Sequence, residues 1–216
     1  MRIISIVGQK GGTGKTTTTE SLAVAAVQDG KRAVIVDLDP QATAANWHDR
    51  RGGGESPAVV SCQVSRLRFV LDTAAQEGAD FVFIDTPPKS AEAAIEAVRA
   101  ASLVLFPVRP QINDLETLPA LKDILNLAGN PPAYVLINAA PVQGQRHGEA
   151  RTVAEELGFS VCPVVLFQRA AYGDAPTMGQ TVTEYDPDGK AAGEMKELYK
   201  FACHQAGKTV KKQANK

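Results

Sequence analysis

Short apolar runs alternate with longer segments of helical character along most of the chain. The runs are rich in Ile, Val, Leu and Phe, which is typical of strands buried on both faces. They predict seven strands, at 3–7, 33–36, 59–61, 81–84, 103–108, 133–137 and 161–165. The segments between them predict helices at 16–28, 42–50, 66–76, 91–100, 115–128, 148–157 and 191–205. Because strands that alternate with helices form βαβ crossovers, the pattern predicts an α/β fold with a mostly parallel, doubly wound sheet flanked by helices.

Length and composition favour one domain. The chain has 216 residues, of which 44% are hydrophobic, so it can bury about 70% of its unfolded surface. We expect a single domain over 1–206 and a basic, disordered tail over 207–216. No apolar run approaches the ~18 residues of a membrane span, and Met1-Arg2 leads straight into the first strand, so we expect a cytoplasmic protein. The cysteines are Cys62, Cys162 and Cys203, whose odd number and wide spacing argue against a disulfide framework and a CxxC metal site.

The C-terminal segment is basic although the whole chain carries a formal net charge of −1. Residues 190–216 contain seven lysines and only two glutamates. Such an asymmetry suggests an anionic partner, and the alternative is a solvated tail. By charge alone, the best candidates for contacts with such an anion are Lys196, Lys200, Lys208, Lys211 and Lys212.

A glycine-rich segment between the first predicted strand and the first predicted helix is the strongest chemical signal. It reads Lys10-Gly11-Gly12-Thr13-Gly14-Lys15-Thr16-Thr17. A strand, a glycine-rich turn and a helix in that order form a phosphate cradle, because backbone N–H groups and the helix N-terminus both face the anion. Lys15 would then reach the β- and γ-phosphates, and Thr16 would hold Mg²⁺. The ordinary Walker A pattern has a glycine where this chain has Gln9, and a second lysine, Lys10, stands inside the loop.

Aspartates follow two further predicted strands. Asp37 and Asp39 follow the second strand, and Asp85 follows the apolar run 81–84. Ligands of parallel sheets bind beyond the carboxyl ends of the strands, where such carboxylates hold Mg²⁺ or orient an attacking water. Read alone, Asp39-Pro40 is also an ordinary turn, but the phosphate loop favours the nucleotide-site interpretation.

The segment with a lysine at each end resembles the deviant Walker A motif of the ParA/MinD family of ATPases, which implies a fold of the P-loop NTPase type with ATP and Mg²⁺ as cofactors. The resemblance is closest to the short ParF-like ParA partition proteins. It implies that Lys10 acts on the nucleotide of a partner subunit, that Asp39 activates water and that Asp37 and Asp85 serve the metal. It also implies that Pro107, at the end of the fifth strand, and Asn138 contribute to the adenine pocket, although the arginine that often follows this asparagine is replaced by Ala139.

The same resemblance implies a working cycle. ATP binding forms a homodimer, the dimer binds DNA without sequence preference, and a ParB-like or other cargo adaptor protein stimulates hydrolysis and release. The protein would then be cytoplasmic and associated with the nucleoid. Its cargo, whether a plasmid, a chromosome or another assembly, is left open.

Three other classes compete with this interpretation. A MinD-like membrane ATPase would end in an apolar, basic amphipathic helix. Here Met195, Leu198, Tyr199 and Ala202 form a stripe that we expect to face the core, and the tail has only Val210 as a substantial apolar residue, so we expect no stable membrane insertion. A metabolic enzyme of the same superfamily is the second class: an iron protein needs paired cluster cysteines, which the spacing does not offer, but an ATP-dependent synthetase stays open. The third class is a nucleic-acid remodeller, which nothing in the sequence favours.

Overall fold

A seven-stranded parallel sheet forms the centre of the protein. The structure is a computed structural model that describes residues 1–52 and 56–214, with side chains as far as residue 208. The strand order is β3-β2-β4-β1-β5-β6-β7, and every pairing between neighbours is parallel. The strands are β1 Arg2–Ile6, β2 Ala33–Asp37, β3 Ala58–Ser61, β4 Phe81–Asp85, β5 Leu103–Val108, β6 Ala133–Ile137 and β7 Ser160–Val161. The predicted parallel, doubly wound fold class is therefore confirmed.

The last strand is shorter than the predicted range 161–165. It ends at Val161, and Pro163 follows soon after. Proline has no N–H to donate to a ladder, so the regular pairing with β6 stops there. Beyond it, Leu166 donates to the Ile137 carbonyl at 3.0 Å, and Ala140 forms an isolated bridge with Phe167.

Ten α-helices flank the sheet within the described residues. They are α1 Lys15–Gln28, α2 Thr43–Arg50, α3 Leu67–Gln76, α4 Ala91–Ala100, α5 Ile112–Leu115, α6 Leu118–Leu127, α7 Arg146–Glu156, α8 Ala171–Asp174, α9 Val182–Tyr185 and α10 Lys190–Ala214. Two short 3-10 helices, Val64–Arg66 and Ala175–Met178, accompany them. None of the helices in this part of the chain is long and apolar enough to cross a membrane.

Three helical predictions differ from the structure. The predicted helix 115–128 begins only at Leu118, as α6, and Leu115 instead ends the separate short helix α5. Pro119 stands in the first turn of α6, where its missing N–H is tolerated. The four-residue helices α8 and α9 were not predicted, since a single turn shows no periodicity. The last helix continues to Ala214, so residues 207–214 have a helical backbone where the sequence predicts a disordered tail.

The core lies in two layers, one on each face of the sheet. Along β4, Phe81 and Phe83 contribute to the layer beneath α1, α2 and α10, whereas Val82 and Ile84 contribute to the layer beneath α3, α4, α6 and α7. This alternation follows from the period of two in a strand. The stripe predicted on the last helix, Met195, Leu198, Tyr199 and Ala202, is buried in the first layer, which confirms its core-facing role.

The register brings three strand ends together. Asp85 at the end of β4 lies beside Ile6 at the end of β1 and beside Asp37 at the end of β2. The loop that follows β1 therefore shares one edge of the sheet with both carboxylates, as expected for ligand sites of parallel sheets.

Candidate functional site

The loop between β1 and α1 closes against the end of β6. Gly14, the residue before α1, has a left-handed backbone with φ of 88°, which favours glycine. A Cβ atom on Gly14 would also collide with the side-chain amide of Asn138. Asn138 donates from Nδ2 to the Thr13 carbonyl at 2.7 Å. Two residues predicted to bind nucleotide, far apart in sequence, are thus in direct contact.

Lys15 is buried at the start of α1. Its side-chain ammonium donates to the Lys10 carbonyl at 2.8 Å, so the lysine folds back over its own loop. Burial lowers the pKa of Lys15, whereas the carboxylates of Asp85 and Asp39 act in the opposite direction. The ammonium therefore lies within the loop that would cradle a phosphate, close enough to both carboxylates to interact with them.

Thr16 and Asp85 form a direct contact below the loop. The Thr16 hydroxyl donates to Asp85 Oδ2 at 2.6 Å. The other oxygen, Oδ1, is buried and accepts no hydrogen bond from the described residues. Burial raises the pKa of Asp85 to about 7, and the Thr16 hydrogen bond opposes this effect. A cation beside the free oxygen would stabilise the charged carboxylate, so a hydroxyl and a carboxylate here fit Mg²⁺.

Protein side chains alone do not make a complete metal site. Within residues 1–52 and 56–214 no group of three or more His, Cys, Asp or Glu side chains is arranged to hold a metal ion. Mg²⁺ usually takes one or two protein ligands and completes its shell with water and substrate phosphates. The pair formed by Thr16 and Asp85 is consistent with that pattern.

Asp37 organises the loop that follows β2. Its Oδ1 accepts from the Asp39 N–H at 2.9 Å, and its Oδ2 accepts from the Ala44 N–H at 3.1 Å. Burial raises the pKa of Asp37, and these backbone N–H groups oppose the rise. Both oxygens are thus engaged by the backbone, and the metal role predicted for Asp37 stays a prediction. Asp39 is half-buried and accepts from the Gln41 N–H at 2.9 Å.

Lys10 reaches away from the loop toward α5. Its ammonium donates to the Asn113 carbonyl and lies 3.7 Å from Asp114 Oδ1. Asp114 is buried and also accepts from Arg109, from Nε at 2.8 Å and from Nη2 at 3.1 Å. Although burial raises the pKa of Asp114, the hydrogen bonds from Arg109 and the charge of Lys10 bring it below its usual value. Sequence reasoning missed Asp114, because nothing in the local pattern marks it as the partner of a lysine in another loop.

The remaining predicted residues are a proline in β5 and the lysines of α10. Pro107 is buried near the end of β5, within the predicted strand 103–108. On α10, Lys196 donates to the Pro187 carbonyl at 2.7 Å, and Lys200 pairs with Glu197 at 2.8 Å. Lys208 is exposed near the amino end of β1, where the neighbouring Gly207 approaches Arg2. The side chains of Lys211 and Lys212 lie outside the described residues.

Comparisons with known proteins agree with this geometry. The family model for the CobQ/CobB/MinD/ParA nucleotide binding domain matches residues 4–191. The chromosome-partitioning ATPase Soj of Thermus thermophilus is 28% identical, over 92% of this chain and 94% of the relative. The maintenance of carboxysome distribution protein A of Gloeobacter kilaueensis is 27% identical, over 98% of this chain and 96% of the relative.

Solved structures share the fold. The septum site-determining protein MinD of Pyrococcus horikoshii, complexed with Mg-ADP, superposes with a TM-score of 0.73 at 21% identity, covering 96% of this chain and 98% of that chain. An ATP complex of a McdA variant from Cyanothece has a TM-score of 0.70 at 17% identity, covering 94% of this chain and 96% of that chain.

Proposed function

Because the chain belongs to the CobQ/CobB/MinD/ParA nucleotide-binding family, we propose that it is a Mg²⁺-dependent ATPase that dimerises with ATP and positions a cargo. The dimer binds DNA without sequence preference and responds to a ParB-like or other adaptor protein on the cargo, in the cytoplasm at the nucleoid. The observation that carries the proposal is the meeting of Lys15, Thr16 and Asp85 at one phosphate loop.

The proposed roles follow from these contacts. The backbone N–H groups of 10–17 and the ammonium of Lys15 bind the phosphates, and Thr16 and Asp85 hold Mg²⁺. When bound, the ion neutralises charge on the phosphates. Asp39 orients and activates the attacking water.

Two more residues complete the proposed nucleotide site. Asn138, already at the phosphate loop, reads the edge of the base through its donor and acceptor. Lys10 of one subunit supplies a cation to the nucleotide of the other, in the manner of an arginine finger.

The names of the relatives support a positioning role. One relative is a chromosome-partitioning ATPase, and another maintains the distribution of carboxysomes. Two different cargoes within one family favour a common switch that adaptor proteins connect to different objects. The basic residues of α10 supply the charge for DNA binding, since binding without sequence preference depends chiefly on phosphate contacts.

The test separates the two carboxylates. We expect Asp39→Ala to bind Mg²⁺-ATP and form a dimer that turns over very slowly, because only the attacking water loses its partner. We expect Asp85→Ala to weaken Mg²⁺-ATP binding itself, because Thr16 alone cannot hold the ion. Equilibrium binding of ATP with and without Mg²⁺, size-exclusion chromatography with ATP and phosphate release measure these outcomes.

As a reference, the rate of ATP hydrolysis by the parent protein is measured with and without non-specific DNA. Equal loss of ATP binding in both variants would contradict the separate roles of Asp39 and Asp85. ATP-dependent sedimentation with anionic liposomes, without a DNA shift under the same conditions, would favour a MinD-like membrane ATPase instead.

A further inference from the structure

The loop 38–42, which carries Asp39, is tied to the first turn of α2. Asp37 accepts from the N–H groups of both Asp39 and Ala44, at 2.9 and 3.1 Å. Ala42, between them, has a left-handed φ of 50° and donates to the Asp39 carbonyl at 2.8 Å. A non-glycine residue holds such a conformation only when its surroundings impose it. The position of Asp39 therefore depends on where α2 begins.

The C-terminal end of α2 is fastened to a distant part of the chain. Arg51, directly after α2, donates from Nη1 to the Gly179 carbonyl at 2.9 Å. It also forms two hydrogen bonds with the Glu184 carboxylate, at 2.9 and 2.7 Å. Its guanidinium lies 4.7 Å from the centre of the Trp47 ring. We call the pair formed by Arg51 and Glu184 the α2 clamp.

Neighbouring contacts strengthen the same junction. Trp47 is fully buried and donates to the Gln180 carbonyl at 3.4 Å, and Arg50 donates to the Pro176 carbonyl at 3.1 Å. Gly179 has a φ of 67°, and a Cβ atom there would come within 2.7 Å of the backbone of Arg50. The two backbones therefore touch, which leaves α2 little freedom to shift.

The α2 clamp is shielded from solvent and held from both sides. The side chains of Arg51 and Glu184 are 15% and 23% exposed, whereas those of the surface pair Arg68 and Asp72 are 87% and 57% exposed. Glu184 also accepts from the Thr181 N–H at 2.9 Å, within the capping box of α9. A two-bond pair of this kind is directional and orders both partners, unlike an exposed pair.

Helix α2 depends on these contacts for its position. It has eight residues, of which only Ala44 and Trp47 are buried. A helix this short is marginal on its own, so tertiary contacts have to place it. Among them, the α2 clamp lies directly after its C-terminal end.

We propose that Arg51 and Glu184 are positioning residues for ATP hydrolysis. They hold α2 in place, and α2 in turn keeps the loop 38–42, with Asp39, at a fixed position relative to the phosphate loop. The inference rests on the proposed function, since it gives Asp39 a reaction to serve. Displacement of a catalytic group by about 1 Å can cost a hundredfold in rate.

The matched control is a second shielded pair elsewhere in the fold. Arg169 donates to Glu194 from Nε at 3.0 Å and from Nη2 at 2.5 Å, and the two side chains are 22% and 15% exposed. This pair joins the segment after β7 to α10, and none of these hydrogen bonds involves α2 or the loop 38–42. Arg51→Ala and Arg169→Ala therefore remove similar ion pairs, but we expect only Arg51→Ala to displace Asp39.

We expect both alanine variants to lose thermal stability, but only Arg51→Ala to lower kcat, by about tenfold or more, with the Kd for ATP within about twofold of the parent. Glu184→Gln keeps one acceptor oxygen for Arg51 and should lower kcat less. In the variant that carries both Arg51→Ala and Glu184→Gln, the decreases in kcat should not add, since both changes act on one contact. All rates are measured at a temperature well below the Tm of every variant.

A decrease in kcat of equal size in Arg51→Ala and Arg169→Ala would overturn the inference and leave the proposed function intact. Additive losses in the double variant would also overturn it. A parent protein that binds no ATP and releases no phosphate would overturn the proposed function itself.

Discussion

The two lysines of the phosphate loop lie in different surroundings. Lys15 is 6% exposed, and its ammonium stays within the loop. The side chain of Lys10 is 36% exposed and reaches outward to Asn113 and Asp114. Of these two lysines, Lys10 is therefore the one that reaches outside its own loop.

We expect Lys10→Ala to retain ATP binding but to lose hydrolysis and ATP-dependent dimerisation, because a cation of the contact between subunits is removed. Lys15→Ala should lose ATP binding as well, since it removes the cation inside the cradle. Fluorescent ATP titration and size-exclusion chromatography with ATP distinguish the two variants. Normal dimerisation and turnover in Lys10→Ala would show that the second lysine of the motif is incidental.

The residues that sequence could predict are those whose roles are local. The spacing of Gly14, Lys15 and Thr16 follows directly from one turn and one helix start, and Asp85 ends a recognisable buried strand. The partnership of Arg51 with Glu184 depends on how α2 packs against a distant segment. Neither residue belongs to a motif, so no local pattern could have revealed the contact.

At the scale of elements, α1 carries a buried acid that the proposed reaction does not use. Glu20 is 5% exposed on the inner side of α1. Burial raises its pKa to about 9; Asp85 adds to the shift and Arg50 opposes it. The folded protein therefore keeps Glu20 protonated at neutral pH, whereas the unfolded chain releases the proton above its ordinary pKa of 4.5.

The sign of the resulting pH dependence follows from proton binding. Between pH 4.5 and about 9 the folded state holds one more proton at Glu20, so this residue lowers the free energy of unfolding by about 1.4 kcal/mol for each pH unit. We expect Glu20→Gln to be more stable than the parent, by a margin that grows from pH 5.5 to 8.5. Urea unfolding at several pH values measures the margin, with Glu156→Gln at the exposed end of α7 as the control. A margin independent of pH would contradict the raised pKa.

The strands were easier to predict than the connections between helices. The central strands, such as β5 and β6 with unchanged bounds, are apolar runs of the kind that burial inside the sheet requires. The split between α5 and α6 depends on a single proline, and α8 and α9 are single turns held by tertiary contacts. Their signals are too short for a periodic pattern.

At the scale of the whole molecule, the phosphate loop and the exposed lysine at the end of the described side chains lie at opposite edges of the sheet. The loop follows the carboxyl end of β1, whereas Lys208 lies near its amino end. In the proposed dimer, each subunit would therefore present the C-terminal end of α10 away from its own nucleotide. Joining two subunits doubles the number of lysines available to one DNA molecule.

We expect DNA binding to require ATP and to fall steeply between low and moderate salt, because counterion release scales with the number of phosphate contacts. Replacing Lys208, Lys211 and Lys212 with Gln should reduce the slope of log K against log salt by several units if two subunits bind together. Fluorescence anisotropy with duplexes of unrelated sequence measures the slope, and Lys122→Gln on α6 is the control. An unchanged slope would show that these lysines are merely solvated.

Lys10 is held in the monomer by its contact with Asn113 and Asp114, so it would have to be released before it could reach a partner subunit. Release costs little at Asp114, because Arg109 continues to neutralise the carboxylate through two hydrogen bonds. If only subunits with a free Lys10 can pair, the apparent dissociation constant of the dimer equals the intrinsic constant divided by the square of the free fraction, because both subunits must be free. In the proposed cycle this contact would then raise the subunit concentration that dimerisation requires. Subunits at low concentration would stay monomeric, and dimers would form where subunits accumulate.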